Sequence, residues 1–145
     1  MTPPIFLAAR GEALVRPQGP ADYLLTLPLP PSVNEIFPTA RNGRRIKSVK
    51  YQLWLAQVQR EAVTQGVPQV PLRESKVQLF WNLDTYFYFD NWRSDMDNRY
   101  KALIDFLCAH LDLADNYLIL HRSERFQVPR SGTTRVVAEV RLWKT

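Results

Sequence analysis

At 145 residues, with 46% hydrophobic and 12% aromatic content, the chain is long and apolar enough to bury a core of its own, which excludes a wholly disordered polymer. Its single cysteine, Cys108, excludes an internal disulfide and a cysteine-rich zinc site. No basic segment followed by an apolar stretch opens the chain and no window approaches the ~20 apolar residues of a membrane span, so a cytoplasmic protein with no membrane partner is expected, and its net charge of +5 favours a polyanion.

Residues 1–21 hold several prolines and no sustained period, and are expected to form a loosely ordered extension to a domain over 22–145. Tyr23 to Leu27 reads as a strand stopped by Pro28, Pro30 and Pro31, since proline supplies no ladder donor. The stretch to Ser48 reads as a loop. Between Arg41 and Lys50, across the end of that loop, lie Arg41, Arg44, Arg45, Lys47 and Lys50 with no acid among them, a run that suits a solvated loop and a phosphate-binding surface equally.

From Val49 to about Gln65, Tyr51, Trp54, Leu55, Val58 and Ala62 recur at helical spacing. Gly66, Pro68 and Pro71 end that helix. Val77, Leu79, Trp81 and Leu83 then alternate with Lys76, Gln78, Phe80 and Asn82 as a half-buried strand, and Tyr86 to Phe89 either extends it or returns as a hairpin. A second helix is predicted from Ser94 or Asp95, with Met96, Tyr100, Leu103, Ile104, Leu107, Cys108 and Leu111 as its apolar stripe.

Tyr117 to His121 and Arg125 to Val128 read as one strand or two. Ser131-Gly132 suggests a turn into a last strand in which Val136, Ala138, Val140 and Leu142 alternate with Arg135, Val137, Glu139 and Arg141. Strands interspersed with two helices imply an α+β (α/β-like) single domain, a mixed sheet with two principal helices on a face.

The segment Asp95-Met96-Asp97-Asn98-Arg99-Tyr100-Lys101 places two carboxylates where a loop turns into a helix. Oxygen donors suit magnesium, which keeps several waters and uses one or two protein carboxylates. At ~100° per residue Asp97 falls roughly 60° from the centre of the apolar stripe, Lys101 about 100° and Asp105 about 140°. Asp97 is thus expected at the core boundary, with Lys101 one turn on as its ion-pair partner or as a catalytic cation. The bland alternative makes Asp95 a cap, Asp97 a complement to the helix dipole and Lys101 a surface charge.

Asp115 is a third candidate carboxylate, with Asp112 in reserve. A helix from Asp95 to about Ala109 spans ~21 Å and six extended residues return ~20 Å, so Asp115 can rejoin Asp97 only if the helix ends by about His110. His110 and His121 lack a zinc-ligand pattern. The aromatic run Tyr86, Phe87, Tyr88, Phe89 and Trp92 suits a core or dimer interface better than base stacking.

At these residues the chain resembles the RusA-like family of Holliday junction resolvases, many of them from bacteriophage and prophage. The resemblance rests on Leu27-Pro28-Leu29-Pro30-Pro31-Ser32-Val33-Asn34, the basic loop, Asp95-x-Asp97-Asn98-x-x-Lys101, Asp105 and the region of Asp115, and covers roughly Tyr23 to the C-terminus. It implies a homodimeric, magnesium-dependent, structure-selective endonuclease that cuts four-way DNA junctions in recombination and repair. Asp95 and Asp97 match the acidic motif and Lys101 the motif lysine. Where the family commonly has Asp-Asp, this chain has Asp115-Asn116, and the stretch from Asp84 to Arg93 is longer and more aromatic than usual.

The expected chemistry is therefore Mg2+ held by Asp95, Asp97 and Asp115 for phosphodiester hydrolysis, with Lys101 stabilising charge on the phosphorus centre. Arg41, Arg44, Arg45 and Lys47 are the expected DNA-phosphate contacts. The rival from another class is a non-catalytic junction- or DNA-binding module in which Asn116 records lost chemistry. A metal-dependent enzyme acting on nucleotides is a further rival, against which the basic loop argues.

Overall fold

A computed structural model describes residues 6–7, 13–14, 16–36, 47–72, 80–91, 95–129 and 132–144. Its strands and helices in chain order are β1 (Phe6–Leu7), β2 (Ala13–Leu14), β3 (Tyr23–Leu27), α1 (Val33–Ile36), α2 (Val49–Thr64), β4 (Trp81–Phe89), α3 (Tyr100–Leu111), β5 (Leu118–Gln127) and β6 (Arg135–Leu142). Strands β3, β6, β4 and β5 lie side by side in that order. Strand β5 runs parallel to β4, while β6 is antiparallel to both β4 and β3, so the sheet is mixed and the fold is α+β. The parallel pair requires a crossover, which α3 supplies.

Sequence period sets the faces. Trp81, Leu83, Phe87 and Phe89 of β4 and Val136, Ala138 and Val140 of β6 are wholly buried at alternate positions. They join Trp54, Val58 and Ala62 of α2 and Leu103, Phe106, Leu107 and Leu111 of α3 in one core. Trp54 meets Phe106 edge to face at 6.0 Å, and its indole N–H donates to the Pro28 carbonyl, fastening α2 to the proline-rich strand end. Each buried valine, leucine or phenylalanine of this core stabilises the fold by roughly 1.5–3 kcal/mol.

Helix α2 closely follows its expected bounds. Ser48 caps it, its Oγ accepting from the Tyr51 N–H at 3.0 Å. Gly66 stands just beyond it at φ +83°, its N–H donating to the Val63 carbonyl. A Cβ there would meet no neighbouring atom, so strain comes from the backbone alone. Gly66→Ala should lower stability by about 1–2 kcal/mol, measured by denaturant unfolding, the cost of placing an L-residue in the left-handed region.

Several expectations need correction. The stretch from Pro28 to Ser48 is not all loop, because Val33–Ile36 forms α1 and buries Ile36. The signal was present as Ser32-x-x-Glu35: the Ser32 N–H donates to Glu35 Oε2 at 3.4 Å and the Glu35 N–H to the Ser32 carbonyl at 2.9 Å. For Tyr86 to Phe89 the first of the two expected alternatives holds, since these residues extend β4. The expected start of that strand, with Val77 and Leu79, lies outside the described residues, as do Trp92 and Ser94.

Strand β4 is also not half buried, since Asn82 and Asp84, on the face away from the helices, are only 3% and 6% exposed. β4 lies between two neighbours, and this end of its second face is closed by its own polar network. Trp143 donates to Asn82 Oδ1 at 2.7 Å, while Asp84 pairs with Arg141 Nη1 at 2.8 Å and His121 Nδ1 at 2.7 Å. Arg141 also meets Glu139 and donates to the Gly19 carbonyl, so residues ahead of β3 are tied to β6. In addition, the segments Phe6–Leu7 and Ala13–Leu14 pair antiparallel within the stretch expected to be loosely ordered.

β5 is one continuous strand whose register shifts opposite Leu83 and Asp84. The shift inserts His121 as an extra residue and turns it onto Asp84. His110 is likewise structural: it is buried, stacked on Phe106 at 5.0 Å, with Nε2 on the Val67 carbonyl.

Candidate functional site

The acidic motif lies at the start of the crossover helix. Residues Asp97–Arg99 form a 3-10 turn and α3 proper begins only at Tyr100, five residues later than the expected start at Asp95. Asp95 Oδ1 accepts from the Asp97 N–H at 3.0 Å and Oδ2 from Asn98 Nδ2 at 3.4 Å, so this carboxylate shapes the turn. The turn also corrects the placement of Asp97, which is exposed and not at the core boundary, because a tighter helix rotates it off the α-helical stripe.

Two contacts join the motif to the other segments singled out in the sequence. Arg99 Nη1 donates to the Pro30 carbonyl at 2.7 Å, fixing the Asp97–Arg99 turn on the proline-rich strand end. Helix α1 packs on the same turn and on α3. Its last residue, Ile36, accepts from the Ser48 N–H at 2.9 Å, so the two flanks of the basic segment are held together beside the acidic motif. Arg41, Arg44 and Arg45 lie outside the described residues. Lys47 is described and exposed, with its ammonium 5.7 Å from the Tyr51 ring centroid. Lys50 pairs with Glu35 at 2.9 Å and holds its carboxyl below the usual range.

Lys101 does not take Asp97 as its partner. Its ammonium lies 3.1 Å from Asp105 Oδ2, one turn in the opposite direction, and Asp105 raises its pKa above the ordinary lysine value, with Asp115 adding to the effect. Tyr51 feels the same two charges: burial raises its phenol, Asp105 adds to the rise and Lys101 opposes it. Lys47, Tyr51 and Asp105 line one concavity of about 310 Å³ together with Phe106 and His110.

Asp115 joins this surface farther along α3. The helix runs to Leu111, Asp112 reverses the chain at φ 53°, and the Leu113 N–H returns to the Cys108 carbonyl at 3.0 Å. Asp115 then enters a second 3-10 turn and shares an open concavity with Asp105, Cys108 and Ala109. That is roughly two helical turns short of Asp97. Three residues between the helix end and Asp115 leave too little chain for the full return. Among the described residues, no group of three or more His, Cys, Asp or Glu side chains is gathered as a metal site. Asp95, Asp97 and Asp115 are therefore not assembled around one point, and Asp112 stands at the left-handed C-terminal end of α3, its backbone N–H on the Cys108 carbonyl.

Sequence reasoning did not identify a hydroxyl network just behind the motif. The Tyr100 hydroxyl bonds Thr85 Oγ1 at 2.9 Å and Ser123 Oγ, and Thr85 also donates to Ser123, tying the first residue of α3 to β4 and β5. The aromatic run is divided by strand parity. Phe87 and Phe89 are core, whereas Tyr86 and Tyr88 stack on Phe126 at 6.5 and 5.0 Å on the second face, with Arg135 over Tyr88. No helix among the described residues is long and apolar enough to cross a membrane.

Cys108 is half buried, and burial, with Asp115 and Asp105 contributing, pushes its thiol up to about 11. At pH 8 its thiolate fraction should be roughly 100-fold below that of an ordinary cysteine, so iodoacetamide labelling of native protein should be slower by that factor and normal after denaturation.

Compared with known proteins, the chain matches no protein-family pattern and no curated protein sequence.

Proposed function

We propose that this protein is a magnesium-dependent, structure-selective DNA endonuclease that hydrolyses phosphodiesters at four-way junctions, acting as a cytoplasmic homodimer. The observation that carries the reading is the joining of three separate sequence segments. The proline-rich strand end, the flanks of the basic segment and the Asp95–Asp97 turn meet through Arg99, Pro30, Ile36 and Ser48. That arrangement suits a cleavage centre set beside a phosphate-binding surface.

The donor set fits the metal in part. Asp95 and Asp97 offer carboxylate oxygens two residues apart at a solvent-facing turn, which suits a cation that retains most of its waters. Asp115 stands apart from this pair, on the Lys101 and Asp105 side of the surface, and is not among the cation's donors. Magnesium, when bound, supplies polarisation of the phosphate and activation of water. Asp95 and Asp97 would hold the cation. Lys101 keeps its proton and neutralises charge developing on the phosphate oxygens. Lys47, with Arg41, Arg44 and Arg45, contacts flanking phosphates without reading bases. Two such centres on a two-fold dimer match the symmetry of a four-way junction.

Asn116 and the separation of Asp115 from Asp97 favour a second reading, a junction-binding module without cleavage. Incubating an end-labelled four-way junction and a matched duplex with magnesium separates them. Symmetric nicks in the junction support the nuclease. Tight junction binding with no nicks under any divalent metal overturns it in favour of the binding module.

A further inference from the structure

Among the described strands β3 and β5 form the two edges of the sheet, and they are finished differently. On β3 the Thr26 N–H donates to Gln65 Oε1 and the Thr26 carbonyl accepts from Gln65 Nε2, each at 2.7 Å. One carboxamide thus stands where a further strand would pair, which closes that edge. β5 is ten residues long against five for β3. Just past its end the Val128 N–H donates inward to the Phe89 carbonyl, and backbone groups alternate in direction along a strand, so the N–H and C=O of Ser123 point out of the sheet. Among the described residues no other group takes them.

The side chains flanking Ser123 are complementary to themselves. Arg122 and Glu124 share one face, 4.0 Å apart and both exposed. When two copies pair antiparallel with Ser123 opposite Ser123, the outward backbone groups form two hydrogen bonds across the axis. Arg122 of each copy then stands opposite Glu124 of the other in the closely spaced, non-hydrogen-bonded position. The extra residue at His121 bends the strand just beyond this segment and so opposes a slipped register. Leu120 and Phe126 add exposed apolar surface on either side. Resting on the homodimer proposed above, we infer that two copies of this chain join antiparallel along the β5 edge, about Ser123. The Ser123 hydroxyl also bonds Tyr100, the first residue of α3, so this seam sets the two acidic turns on either side of the two-fold axis.

Sedimentation velocity over a concentration series tests the seam on the full chain, on Arg122→Glu, on Glu124→Arg, on the double variant and on an equal mixture of the two single variants. The unmodified chain should sediment as a dimer. Each single change should raise the dimer dissociation constant about tenfold or more, because the two-fold axis turns two opposite-charge pairs into two like-charge pairs. The double variant and the mixture should both return to within about threefold of the original, since each again sets opposite charges face to face. A single variant that dimerises as tightly as the original, or a mixture that does not recover, overturns the β5 seam and leaves the homodimer to another surface. A chain that is monomeric at every concentration overturns the seam and the homodimer together. Junction cleavage, read on the same preparations, tests the nuclease separately, and circular dichroism of each variant reports folding.

Discussion

Asp97→Asn is expected to abolish magnesium-dependent junction cleavage, by on the order of 100-fold or more, while leaving junction affinity and the melting temperature near their original values. The size of the effect follows from chemistry: an amide keeps the shape of the side chain but removes the charge that holds a cation. The absence of a folding effect follows from position. Asp97 is exposed, and its fold-bearing contact is the backbone N–H that donates to Asp95, which the substitution keeps. Exposed substitutions of this kind shift stability by roughly 0.5 kcal/mol or less. Gel-shift, cleavage and thermal denaturation on one preparation check all three. Combined loss of binding and folding would reassign Asp97 to structure, and unchanged cleavage would remove it from the site. The same experiment on Asp95→Asn should cost stability as well, because Asp95 also shapes the turn.

Arg141→Ala should be the most destabilising of the polar substitutions, at about 3 kcal/mol by denaturant unfolding. Asp84 is 6% exposed and takes Arg141 on one oxygen and His121 on the other, so removing the guanidinium leaves a buried carboxylate with half its support. Arg141 also releases Glu139 and the Gly19 carbonyl, which loosens the residues ahead of β3. Pairing it with Asp84→Asn should recover part of the loss, since a neutral amide costs less to bury than a charge. Strict additivity of the two changes would show that Asp84 and Arg141 do not support each other. Because this network lies on the sheet face away from the helices, junction affinity should follow stability alone.

Much of the architecture was legible along the chain, for local reasons. Strands β3 and β6 and helix α2 were readable because each element's hydrophobic period, its stop signals and its burial agree. Examples are the alternation of Val136, Ala138 and Val140 and the spacing of Trp54, Val58 and Ala62. The mixed α+β class followed from the same periods. The short helix at Val33–Ile36 was legible too, through Ser32-x-x-Glu35, but the flanking prolines and basic run outweighed it.

The acidic motif was visible as a pattern, but its geometry depends on contacts that spacing does not contain. Local sequence determined the class of the fold, the faces of its main elements and the position of the carboxylate pair at a turn into α3, and it supplied the candidate residues of the proposed nuclease. Where α3 begins decided that Lys101 pairs with Asp105, four residues on in the same helix, and tertiary structure alone decided that Arg99 carries the motif to Pro30. It also decided that Asp115 rejoins α3 beside Asp105, because the helix runs to Leu111 before the chain reverses. A one-residue register shift in β5, unreadable from hydropathy, delivered His121 to Asp84. The physical reason is common to all of these: period and capping act over one or two turns of chain, whereas the partner of a charged side chain is chosen by whatever residues packing brings within a few ångströms.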